Sequence, residues 1–150
     1  MSDLSVVERH TIVTAHRLTR IYMVLKGAVY VLIGVSWVVF PSPGRMDGID
    51  WLPFVTPQMV AALWAVTGSL AVLGGITTDK RITRAGWVAM IIAPFIIAAY
   101  FLGAWVLFLM GAGGAERGIV TTVSYVGFTM SAYLMSRIHS VTLHPAGEAP

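Results

Sequence analysis

Four apolar blocks, none shorter than twenty residues, constrain this chain more than any other feature. They run Ile21–Phe40, Pro57–Ile76, Ala85–Met110 and Ile119–Ile138. A helix rises about 1.5 Å per residue, so about 20 residues match a hydrocarbon core about 30 Å thick. Open strands of that length would leave backbone groups unpaired in lipid, which excludes them. The expected fold is therefore all-α, a polytopic four-helix transmembrane bundle. Composition agrees: 11% of residues are charged and 57% hydrophobic, whereas soluble domains carry roughly 25% charge. The first block is too long for a signal peptide and ends in "VVFPSPG", bulky residues and then prolines, so it reads as a retained span.

The boundaries carry their own chemistry. "PSPGRMDGIDWLPFVTP" holds four prolines and two glycines, as a surface loop should. At its end Thr56 is expected as an N-cap, with Pro57 at the first helical position where its missing N–H costs nothing. "TTDKRITR" (77–84) reads as a short polar turn with Thr83 capping the third helix, and "GAGGAERG" as the turn into the fourth. Three parts follow: a basic N-terminal segment (1–20), the transmembrane domain (21–138) and a tail (139–150). The first part places Leu4, Val7, Thr11, Leu18 and Ile21 on one helical face, opposite Arg9, His16 and Arg20. It is either an amphipathic helix on anionic lipid or a solvated tail leading into the first span.

Orientation follows from the cations. Arg9, Arg17, Arg20, Lys26, Lys80, Arg81, Arg84 and Arg137 fall on one side, and only Arg45 and Arg117 on the other. Both termini are therefore expected to be cytoplasmic. Tyr22, Trp87 and Tyr133 then form an inner aromatic belt, and Trp37, Trp51 and Trp105 an outer one.

Within the spans, Lys26 interrupts the first apolar run. Its Cα sits five residues past Ile21, and helical side chains lean toward the N-terminus, so it is expected to snorkel as an inner-interface anchor. No span contains Asp or Glu to pair with it. Gly27 and Gly34, Gly68 and Gly75, Ala89 and Ala93, then Ala99 and Gly103 let helix backbones approach, either inside one bundle or between copies. In the fourth span Thr122, Tyr125, Thr129, Ala132 and Ser136 form a polar stripe, with Ser124 and Ser131 beside it. Hydroxyls in lipid need partners, so the stripe is expected to face protein or line a pore in an oligomer. Pro94 should kink the third span or free a carbonyl for a neighbouring helix.

Several function classes lose support here. The chain has no cysteine, which removes thiol and thiolate–metal chemistry. His10, His16, His139 and His144 have spacings that place neither pair on one helical face, and no carboxylate joins them, so no metal site is expected. No catalytic triad, carboxylate pair or phosphate loop can be assembled, so neither enzyme activity nor a cofactor is expected. The net charge of +3 comes from cations flanking spans rather than from a soluble basic patch, which argues against nucleic acid.

"RIYMVLKGAVYVLIGVSWVVFPSPG…WLPFVTP" resembles the short four-span membrane proteins encoded by bacteriophages of actinobacteria, called holin-like. The likeness covers residues 17 to 139 and carries no catalytic signature, so no functional residue transfers. It implies insertion into the host cytoplasmic membrane and action by homo-oligomerisation that permeabilises or depolarises it. The alternative is a regulatory or binding membrane protein, such as an exclusion or immunity factor or an anchor for a partner. On either reading the expected partners are membrane lipids, chiefly the anionic inner leaflet.

Overall fold

The computed structural model describes residues 6–40, 49 and 54–143. Among these the chain is four helices without a strand: α1 (Val6–Val39), α2 (Pro57–Ile76), α3 (Lys80–Leu109) and α4 (Gly118–Leu143). Arg45, Trp51 and His144 lie outside the described residues, as do the side chains of Arg9 and His10. All four helices are long and apolar enough to cross a membrane, so the chain has the make-up of a multi-pass membrane protein. Its surface agrees: Leu25 is 62% exposed and Leu32 66%, whereas Trp64 and Met90 inside the bundle are fully buried. An aliphatic exterior of this extent is unfavourable in water and ordinary in lipid.

α1 packs chiefly on α2 and α3 on α4; α2 against α3 joins the two hairpins, and a thinner α1–α4 seam closes the ring. With 34 residues, α1 is about 50 Å long and outruns a hydrocarbon core of about 30 Å. It does not break near residue 20, so residues 6–20 continue the axis of the span.

α2 starts as its sequence dictates, with Thr56 Oγ1 accepting from the Met59 N–H at 3.3 Å and Pro57 following. α3 corrects an expectation. It begins at Lys80 rather than Ala85, and its N-cap is Asp79, whose carboxylate accepts from the Arg81 N–H at 2.7 Å. Asp79 is as good a cap as any residue and lies upstream; Thr83 instead donates to the Gly74 carbonyl at 3.0 Å. Lys80, Arg81 and Arg84 thus belong to the first turns of a helix, not to a loop. The turn into α4 uses Gly111, Gly113 and Gly114 at φ of +70°, +96° and +92°, which a side chain would strain.

Pro94 sits inside α3 and is buried. Lacking an N–H, it leaves the Met90 carbonyl without its helical donor, and Tyr30 of α1 donates its hydroxyl to that oxygen at 3.2 Å.

Candidate functional site

The glycines expected to pack do so within the chain. A Cβ on Gly27 would stand 2.7 Å from the Gly68 carbonyl oxygen, and one on Gly68 2.6 Å from that of Gly27. Gly34 meets Ala61 and Ala65 of α2, and Gly75 meets Arg20 and Val24 of α1. Ala89 and Ala93 are buried in the bundle. Ala99 is exposed and Gly103 half-buried, so that pair borders the outer face of α3.

In the polar stripe of α4, Thr122 and Ala132 are buried and Tyr125, Thr129 and Ser136 half-buried, and the Thr122, Thr129 and Ser136 hydroxyls find acceptors within the chain. Thr122 is buried and donates to the carbonyls of Gly118 (2.8 Å) and Ala98 (3.3 Å). Thr129 donates to Tyr125 O and Ser136 to Tyr133 O. The Tyr125 ring tilts against Trp64 at 5.7 Å between centroids.

The seam between α1 and α4 is held by polar groups. Lys26 leans toward the start of α1, the direction an interface anchor requires. Its Nζ donates to Tyr22 Oη at 2.8 Å, the Phe128 carbonyl at 2.8 Å and Ser131 Oγ at 2.5 Å. An ammonium has three N–H donors, and three oxygens meet them. The Tyr22 and Phe128 rings add cation–π contacts at 5.3 and 5.6 Å. Neutral oxygens thus satisfy the charge that has no carboxylate partner in the spans. We expect Lys26→Leu to insert normally but to loosen the seam by about 1 kcal/mol, the scale of interhelical hydrogen bonds in lipid. Thermal unfolding in detergent measures this, and an unchanged midpoint would mean that the lysine does no more than snorkel.

At the basic end of the same seam the chain assembles a group that spacing along the sequence does not reveal. Thr19 is buried and donates its one proton to the His16 carbonyl at 2.9 Å. Its oxygen also lies 3.1 Å from His139 Nδ1, within hydrogen-bond distance. The His16 and His139 rings stack at 5.0 Å, and Trp87 tilts against His139 at 5.7 Å. Trp87, placed by its sequence position in the inner aromatic belt, is 6% exposed and packs its ring against Tyr22 and His139. Arg20, beside this group, reaches to the end of α2. Its Nε donates to Gly75 O at 2.9 Å and its Nη2 to Ile76 O and Thr77 O at 2.7 Å each, closing the C-terminus of α2.

These groups border a cleft of about 770 Å³ between α1, α3 and α4. Arg20, Lys80, Arg84 and Arg137 stand around it with His16 and His139, and no Asp or Glu is among the described residues lining it. Val88 and Ile91 make its wall apolar farther along α3. Two buried nitrogens on its border, Trp87 Nε1 and His16 Nδ1, have no hydrogen-bond partner. Among the described residues no three His, Asp or Glu side chains come together as a metal site would need. A smaller cavity of about 290 Å³ lies toward the opposite end, bordered by Trp64, Tyr100 and Tyr125 and almost wholly apolar. The chemistry these side chains offer is that of binding: fixed positive charge, hydroxyl and N–H donors, and an apolar wall below them. No protein-family model, curated protein or solved structure matches the chain.

Proposed function

We propose that the chain is a non-enzymatic, multi-pass binding protein of a bacterial cytoplasmic membrane, with its basic end as the working face on the inner side. The cleft among Arg20, Lys80, Arg84 and Arg137 carries this reading. Charge on that face draws anionic lipid or an anionic partner. Regulation of, or anchorage for, such a partner fits better than a pore, because the α4 hydroxyls already have backbone acceptors inside the chain.

A second reading is the holin-like one, in which copies associate and permeabilise a host membrane. It is favoured by the outward faces of α3 and α4. Ala99 and Ser124 are exposed there, and a Cβ on Gly127 would meet nothing within 4 Å. That leaves close approach open to another copy.

One experiment separates the two. The chain is accumulated in a bacterial inner membrane while a potential-sensitive dye is followed. Unchanged potential at high expression supports the binding reading, and collapse replaces it with the holin-like one. The inner placement of the basic end is checked separately, which the absence of native cysteine makes simple. Ala115→Cys should react with a membrane-impermeant maleimide in intact cells, and Thr78→Cys only after permeabilisation. The reverse pattern would put the cleft outside.

A further inference from the structure

We propose that the cleft at the basic end is a site for one phosphate-bearing amphiphile, a single anionic lipid seated by its headgroup. The inference rests on the binding reading above and names its ligand. Four observations converge. The cations come from α1, α3 and α4, so the charge is gathered by the fold and not by one run of sequence. Lys80, Arg81 and Arg84 occupy the first turns of α3, where the helix dipole is already positive. Asp79 caps that end with one carboxylate, which leaves a net positive charge among Lys80, Arg81 and Arg84 for a further anion to meet. The Trp87 N–H, on a ring 6% exposed and bordering the cleft, lacks an acceptor, and a phosphate or glycerol oxygen supplies one. Finally, the cleft descends from Arg84 to Ile91, seven residues or about 10 Å along the axis. A free phosphate would fill only the rim. An acyl chain would continue along Val88 and Ile92, 45% and 46% exposed on the outer face of α3.

The test uses the full chain in detergent micelles doped with phosphatidylglycerol or phosphatidylcholine, with retained lipid counted by native mass spectrometry. One phosphatidylglycerol should be kept about tenfold more strongly than phosphatidylcholine, as loss of one to two favourable charge contacts implies. The double variant Lys80→Gln, Arg84→Gln should reduce retention to the phosphatidylcholine level with an unchanged unfolding midpoint, while Arg117→Gln at the opposite end should retain lipid as the parent does. Equal retention of both lipids overturns the proposal, as does an equal loss in Arg117→Gln, which would mean diffuse charge. Displacement of the lipid by inorganic phosphate alone also overturns it and makes the ligand a free anion. Retention is read in micelles and potential in cells, so loss of the lipid preference overturns this proposal alone, whereas a collapse of membrane potential on expression overturns the binding reading and this proposal with it.

Discussion

Gly68→Leu is expected to force α1 and α2 apart, at a cost of about 3 kcal/mol, the upper end for overpacking a close contact. The reason lies in what surrounds the glycine. A Cβ there would meet Gly27 O at 2.6 Å and the Val31 nitrogen at 2.7 Å. These are backbone atoms of a helix, which cannot turn aside as a flexible side chain could. In lipid, van der Waals contact of this kind drives helix association, because the surrounding chains are as apolar as the helix. Gly68→Ala should already destabilise, and Ala99→Leu, on an exposed position, should not. Thermal unfolding in detergent ranks the three. A Gly68→Leu midpoint equal to that of the parent would show that the hairpin is held elsewhere.

Arg20→Met should be the next most damaging change, costing about 2 kcal/mol, as expected for hydrogen bonds from a charged donor. Three carbonyls at the end of α2 lose their donors together: Gly75, Ile76 and Thr77. They lie at a helix C-terminus, where the negative end of the dipole also favours a cation. Arg20→Lys should recover only part of the loss, because an ammonium cannot span these oxygens as a planar guanidinium does. Hydrogen exchange at residues 73–79 reads the effect locally. Equal protection in Arg20→Met and the parent would assign the capping to water instead.

The spans were legible because a hydrocarbon slab imposes one length and one composition on any segment that crosses it. Thr56 and Pro57 were legible because capping is a local chemistry. The seam was not. Two of the three partners of Lys26 are a hydroxyl and a backbone carbonyl about a hundred positions away, and every residue has a carbonyl, so nothing in the sequence flags Phe128. His16 and His139 resemble isolated histidines until the ring of helices closes and brings them to 5.0 Å. Arg20 gave no hint: the last turn of α2 contains no basic residue, but neither does the last turn of any other helix. The start of α3 was misplaced by hydropathy, which begins a span where charges stop, whereas the helix begins where Asp79 caps it.

Pro94 has a consequence beyond the hydrogen bond it removes. An apolar residue of a helix can slide past a neighbour and find a similar apolar surface, since lipid-facing helices offer few landmarks. The Met90 carbonyl is a landmark, because it faces α1 and needs a donor. A shift of α1 by one residue would carry the Tyr30 hydroxyl about 1.5 Å along the axis and about 100° around it, away from that oxygen. A residue that breaks regularity in α3 thereby helps set the register of α1, giving two helices not adjacent in sequence a mark by which they align.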